Sequence, residues 1–455
     1  MQIPPSSPVP AGRFAAELEL TPFRGVRYAQ DRVSGLAEVT SPPYDVIVED
    51  KEDQLMAADP HNVVRLILPR PVPGHPGEEY RHAAESLWLW QRDQILVTDP
   101  EPAMYVYEQA ATDGSGQLQR GLIGAVRLVP PEAGVVLPHE DVSPGPVAGR
   151  LALMEATQAN LEPIYLLYDG HAAGTGQPAR NGSPTGATAR IIAETAAREP
   201  LVDTHTSDGL RHRLWAVTDQ ADQAAIADDL RPRQALIADG HHRYAAYLQL
   251  QARRHAAGSG PGPWDYGLAL LVDSAGYPPH IGAIHRVIPG LDVQHAVKLA
   301  APAFAVRALP GGSADLAAAL DALATATAGG PAFVLAGQEA AYLISDPDPD
   351  QAAASMPPGV SEQWSALPAS VLQELLIIRL WELTDNENTV RVVHHDAQAA
   401  VREAHAAAGT AVLCSPMTPA EVYAVAARGE KVPRKSTSFA PKPRTGLVLR
   451  SFAQS

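Results

Sequence analysis

Asp239-Gly240-His241-His242-Arg243-Tyr244 gathers a carboxylate, two imidazoles and a guanidinium within six residues. The apolar run Ala235 to Ala238 before it reads as a strand, and the residues after it read as a helix to about His255. The group therefore sits where a strand hands over to a helix N-terminus, whose N–H groups and dipole favour an anion. There Arg243 can fork onto phosphoryl oxygens, Asp239 can hold magnesium or orient a hydroxyl, and either histidine can neutralise developing charge. The plainer alternative is that Asp239 caps the helix and Gly240 makes the turn. One metal shared by both histidines is a poorer fit, because adjacent helical residues diverge by roughly 100°.

His139-Glu140-Asp141 offers an imidazole and two carboxylates just before a helix expected from about Val147 to Ala159. Either acid can serve as general base for a substrate hydroxyl, or simply cap that helix. Near the C-terminus, Lys431 to Arg444 concentrates five basic side chains and three hydroxyls, with Lys435, Ser436, Thr437 and Lys442 as candidate phosphate ligands. No Walker-type glycine-rich loop accompanies them. Ser41-Pro42-Pro43-Tyr44-Asp45 is a rigid loop that can present Tyr44 and Asp45 to a pocket. His285-Arg286 and His394-His395-Asp396 read as strand ends.

The elements that must position these groups alternate along the chain. Asn62 to Leu68 reads as a buried strand and Glu79 to Arg92 as an amphipathic helix, with Ala83, Leu87 and Trp90 on one face. Met104 to Gln109 and Gly121 to Leu128 read as paired strands, followed by a strand at Ile164 to Tyr168. Residues 1 to about 12 are expected to fray, and Asp169 to Gly186 to form a polar loop. Tyr266 to Asp273 and Gly282 to Val287 read as further strands. From about 291 to 346 the order strand, helix, strand, strand suggests a small α+β subdomain. An apolar helix from Ser370 to Leu383 then precedes strands at Val390 to Val393 and Thr410 to Cys414, with helices at Ala397 to Ala407 and Pro419 to Arg428.

Length 455 with 45% hydrophobic residues supports two or three domains with buried cores. The net charge of −16 argues against nucleic acid or an anionic membrane surface as partner. Against that background the clustering of Lys431, Lys435 and Lys442 stands out, since only five lysines occur in all. The single cysteine, Cys414, excludes an intramolecular disulfide and any zinc site needing two thiolates, and it fits a reducing cytoplasm. The start lacks the apolar core of a signal peptide, and no run approaches a membrane span. The expectation is a cytoplasmic protein.

Ser41-Pro42-Pro43-Tyr44-Asp45-Val46, Asn62-Val63-Val64-Arg65-Leu66, His139-Glu140, Asp239 to Tyr244, Lys435-Ser436-Thr437 and Pro441-Lys442, in this order, resemble the bacterial domain-of-unknown-function family 1015 over nearly the whole chain. The Asp-Gly-His-His-Arg motif with an upstream His-Glu is also similar to free-serine kinases of the ParB-like superfamily. That resemblance implies an α+β, or mixed α/β, chain whose ParB/sulfiredoxin-like nucleotide-binding core is elaborated with additional α/β subdomains. The expected segments are 13–135 (N-terminal α/β), 136–290 (core), 291–360 (small α+β) and 361–455 (C-terminal α/β with the basic Lys-Ser-Thr segment).

The same resemblance implies a nucleotide-dependent kinase acting on a small hydroxyl-bearing metabolite such as free L-serine, with ATP or ADP and Mg2+. Gly240, His241, His242 and Arg243 would lie at phosphate, Asp239 at the metal and Glu140 at the acceptor as base. Tyr44, Asp45 and His139 would bind substrate. The alternative is a ParB-like nucleotide-binding regulator, or a nucleotide hydrolase that uses water as acceptor. Sulfiredoxin chemistry fits poorly, because its reactive cysteine is missing from the loop. Oligomeric state is not legible.

Overall fold

A computed structural model describes residues 16–171, 186–386 and 388–454. The expected frayed start and most of the expected loop from Asp169 to Gly186 lie outside the described residues. The fold is mixed α/β. Two units are formed: the chain up to Leu137, Val142–Pro278 and Lys442 onward make the first, and Pro138–Asp141 with Pro279–Pro441 the second. The expected segments 13–135 and 136–290 thus both contribute to the first unit. The boundary expected at 290 falls inside the second.

The first unit is built on a nine-stranded mixed sheet. Its strands are β1 (Met104–Ala111), β2 (Leu118–Arg127), β3 (Val136–Leu137), β4 (Ile164–Tyr168), β5 (Val202–His205), β6 (Leu210–Val217), β7 (Ala235–Asp239) and β8 (Tyr266–Asp273), in the order β3-β7-β4-β8-β2-β1-β6-β5, with Leu20–Thr21 paired to β2. β8 runs antiparallel to β2 and parallel to β4. Six consecutive residues of β8, Gly267 to Val272, are apolar and buried, as a strand covered on both faces requires.

Helices α1 (Glu78–Arg92), α2 (Pro144–Thr157) and α3 (His241–Ala256) belong to this unit. On one sheet face Val106, Leu122, Leu166, Ile237 and Leu271 pack with Val147, Leu151 and Met154 of α2 and Tyr244, Tyr247 and Leu250 of α3, the helical residues recurring every three or four positions. Buried polar side chains elsewhere in the sheet find one another, as burial demands. Gln109 donates to Gln119 (2.7 Å), Gln119 to the Tyr165 hydroxyl (2.6 Å), and Tyr107 lies 2.9 Å from His212.

Asn62 to Leu68 corrects the sequence expectation: Val64–Ile67 forms a short helix, not a strand. Asn62 accepts the Val64 N–H at 2.9 Å and donates to the Glu38 carbonyl at 2.6 Å, so a side chain starts a turn where an apolar run alone reads as extended. The last strand of the chain, Leu449–Ser451, pairs with Gly25–Tyr28 and Ala159–Asn160, which ties the C-terminus into the first unit.

The second unit holds a six-stranded antiparallel sheet of β9 (Ile284–Ile288), β10 (Ala305–Ala308), β11 (Phe333–Ala336), β12 (Ala341–Ser345), β13 (Arg391–His394) and β14 (Thr410–Cys414), in the order β10-β12-β11-β14-β9-β13. Segments 291–360 and 361–455, expected as separate regions, therefore share one sheet: β14 inserts between β11 and β9. The apolar helix expected from Ser370 to Leu383 is π-helical over Val371–Leu380. Among the described residues no helix is long and apolar enough to cross a membrane.

Candidate functional site

β7 ends at Asp239, and its pairing with β4 slips between Ile237 and Asp239, setting Asp239 opposite Tyr165. Such a bulge re-aims the end of a strand. Gly240 follows with φ +97°, a left-handed conformation that glycine adopts without a Cβ penalty. A Cβ there would stand 3.0 Å from Ile164 Cγ2 and 3.2 Å from Arg243 Nε. Strand, bulge and glycine together deliver the chain into α3 as the motif predicts.

Gly240 supplies no side-chain cap to α3, nor does Ser143 to α2, which opens on Pro144. The Ser143 N–H donates to His242 Nε2 at 3.0 Å, and near the far ends Arg253 lies 2.9 Å from Glu155. The two helices therefore run side by side in the same direction, and both positive dipole ends point the same way. Two adjacent uncapped N-termini form a stronger anion-attracting end than one.

Asp239 is buried, at 7% exposure, and binds two cations, the Arg243 guanidinium and the Lys442 ammonium. Lys442 also lies 2.8 Å from Asp45. Burial, reinforced by the Asp45 charge, pushes the Asp239 carboxyl above its ordinary range against the pull of Lys442 and Arg243. For Asp45 burial acts upward too, yet the Lys442 and Arg243 charges hold it below that range. Burial lowers the Lys442 ammonium, but the two aspartates outweigh it and raise it.

Arg243, expected at phosphate, turns inward. Its guanidinium is buried and donates to Asp239 and to the Pro163 carbonyl (2.5 Å), and among the described residues its Nε has no hydrogen-bond partner. A guanidinium held by a carboxylate and a carbonyl anchors the motif rather than forking onto a phosphate.

Sequence reasoning missed Glu162. Glu162 is buried, accepts the Tyr44 N–H at 3.0 Å and sits 3.5 Å from Arg150. Its carboxyl is raised, chiefly by burial, with Arg243 and Arg150 opposing. The Arg150 guanidinium lies 4.1 Å over the Tyr44 ring and donates to the Ile67 carbonyl (2.5 Å). Tyr44 is thus pinned from two sides, and Asp45 beside it is held by Lys442. An acid in the apolar context Leu161-Glu162-Pro163-Ile164 was the signal available for Glu162.

The remaining candidates lie in the second unit. The Thr437 hydroxyl lies 2.6 Å from Glu140 Oε1 and 2.9 Å from His139 Nε2. Ser436 donates to the Pro433 carbonyl at 2.6 Å, so neither hydroxyl is spare in the way a phosphate ligand would be. Lys435 is exposed, with φ +53°, and Arg286 holds its carbonyl at 2.9 Å. The first unit brings together Tyr44, Asp45, Asp239, Gly240, His241, His242, Arg243 and Lys442; the second holds His139, Glu140, Lys435, Ser436 and Thr437. The basic segment is thereby split between units, Lys442 falling in the first.

Asp45 and Asp239 converge on one ammonium, and two hard carboxylates suit Mg2+ that also takes phosphate oxygens and water. Among the described residues no group of three or more His, Cys, Asp or Glu is arranged to hold a metal.

The sequence pattern described as "Protein of unknown function (DUF1015)" matches residues 20–370. No curated protein matches the chain. Among solved structures, a free serine kinase, a point mutant in complex with ADP, is similar at 16% identity and TM-score 0.33, over 67% of this chain and 84% of that one. A conserved hypothetical protein from Pyrococcus furiosus is similar at 16% identity and TM-score 0.33, over 70% and 94%. SbnI from Staphylococcus aureus, truncated at its C-terminus, is similar at 11% identity and TM-score 0.32, over 69% and 82%.

Proposed function

The chain belongs to the DUF1015 family, and on that premise we propose that it is a nucleotide-dependent small-molecule kinase, transferring phosphate to a hydroxyl of free L-serine or a related amino acid in the cytoplasm. The observation that carries the reading is the pair of uncapped, parallel helix N-termini joined through His242, with the Asp45–Lys442–Asp239 bridge in the same unit. Together they offer a polyphosphate its main-chain donors, an ammonium and two hard oxygens.

In this reading the phosphates of ATP or ADP lie at the α3 N-terminus, with His241 and Lys442 countering their charge and His242 joining the two helix starts. Arg243 keeps Asp239 in place from the interior. Asp239 and Asp45 would hold Mg2+, which supplies charge neutralisation to the phosphates. Glu140 takes the proton of the acceptor hydroxyl as its oxygen attacks the terminal phosphorus and the bond to the leaving phosphate oxygen breaks. Tyr44, His139 and Lys435 are the further candidates for contact with acceptor or nucleotide. Removal of one charged contact to the transferring group costs on the order of 3 kcal/mol of barrier, about 10² in rate.

The test is to incubate the protein with Mg2+, ATP or ADP and a pool of hydroxyl-bearing amino acids, and to search for a phosphorylated product by mass spectrometry. A product, phosphoserine foremost, that is lost in Glu140→Gln while nucleotide affinity is kept supports the kinase. Nucleotide binding with neither product nor hydrolysis sinks it in favour of a regulator, and release of inorganic phosphate alone favours a hydrolase.

A further inference from the structure

We infer that Thr437 is a positioning residue that aims the Glu140 carboxylate at the acceptor hydroxyl, an inference that rests on the kinase reading above. Both residues belong to the second unit, 297 positions apart, and their side chains meet at 2.6 Å. Thr437 has one hydroxyl proton and donates it to Glu140 Oε1. It can then only accept from His139, so the proton of the buried imidazole sits on Nε2, 2.9 Å away. The order is His139 to Thr437 to Glu140, each group orienting the next.

The surrounding chain is built to hold this line. Lys431 Nζ donates to the Pro138 carbonyl and the Val432 N–H to the His139 carbonyl, both at 2.9 Å, so the segment bearing Glu140 is gripped on both sides of His139. The Phe439 ring meets the His139 ring edge-on, with centroids 5.5 Å apart. Ahead of Thr437, Arg286 holds the carbonyls of Arg434 (3.1 Å) and Lys435 (2.9 Å). Behind it, the Ser438 hydroxyl lies 3.0 Å from His395 Nε2, and its carbonyl accepts the Gly282 N–H at 2.9 Å.

A glutamate carboxylate turns freely about its last torsion, and a short hydrogen bond from a fixed hydroxyl removes that freedom. The Lys-Ser-Thr run therefore serves the base, with Thr437 spent on Glu140 and Ser436 on its own turn.

The experiment measures kcat and KM for phosphotransfer in the full-length protein and in Thr437→Val, Thr437→Ala, Thr437→Ser and Glu140→Gln, with thermal unfolding of each. The expected result is a loss of kcat on the order of 10- to 100-fold in the Val and Ala variants, with nucleotide KM unchanged and Ser close to wild type. Thr437→Val added to Glu140→Gln should lower kcat no further, because both remove one function. Wild-type kcat in the Val and Ala variants overturns the inference, as does a rise in nucleotide KM at constant kcat, which would mark a phosphate ligand. Phosphate found on Thr437 itself overturns it too, by making the hydroxyl an acceptor. An active wild type with these results leaves the kinase reading standing, whereas a wild type that transfers no phosphate to any acceptor removes both.

Discussion

The Lys442 ammonium lies 2.8 Å from the Asp45 carboxylate across 397 residues of chain, and on its other side it binds Asp239. One cation thus separates two carboxylates that would otherwise repel at close range. From Lys442 onward the C-terminal segment is in this way part of the motif-bearing unit rather than a solvated basic tail.

Replacing Lys442 by Met removes the ammonium between Asp45 and Asp239 and leaves Arg243, among the described residues, as the one cation on Asp239. The unfolding free energy should fall by about 1–3 kcal/mol in urea titrations. Asp45→Asn in the same chain should restore part of the loss, and equal stabilities for all three proteins would contradict the bridge.

Arg243→Ala should act first on stability. It strips a buried carboxylate of its guanidinium partner, at a cost of about 3–5 kcal/mol. Equilibrium unfolding beside nucleotide titration separates the two roles, and weakened nucleotide binding at undiminished stability would return Arg243 to the phosphate.

His212 is buried between Tyr107 and Thr206, and desolvation, aided by the Arg444 charge, lowers its pKa to about 4. A depressed folded value means that its contribution is present above the unfolded pKa and lost as pH falls. Between pH 6.5 and 4 the protein should lose up to about 3 kcal/mol through this residue. Chemical denaturation across that window should show a shallower pH slope in His212→Gln.

Gly240→Ala should cost more than Gly258→Ala at the other end of α3. Both glycines have positive φ, but a Cβ at Gly258 meets nothing within 4 Å, whereas at Gly240 it crowds Ile164 and Arg243. About 1 kcal/mol is expected for strain alone at Gly258, and measurably more at Gly240. Calorimetric melting of the two variants gives the comparison.

The strand-to-helix handover at Asp239–His241 was legible because an apolar run, a glycine and a helical period are all local signals. The pairing of β1 with β2 was legible for the same reason, two apolar runs separated by a short polar loop. Asn62 to Leu68 was misread because a short apolar run buries equally well as strand or helix, and a single side-chain hydrogen bond chose between them. Glu162 went unnoticed because its meaning lies in its surroundings: an acid becomes a structural hub only when Tyr44 and Arg150 are brought to it.

The chain's own residues determine its elements, the acidic surface balance and the motif that opens α3, since these depend on neighbours within a few positions. Tertiary structure decides which charges meet. It sends Arg243 inward to Asp239 and Pro163, gives Lys442 to the first unit and Thr437 to Glu140 in the second, and folds β9 to β14 into one sheet. The reason is physical: a buried charge or polar group must be satisfied by whatever the fold places within about 3 Å, and here one such partner, Asp45 for Lys442, is 397 positions away.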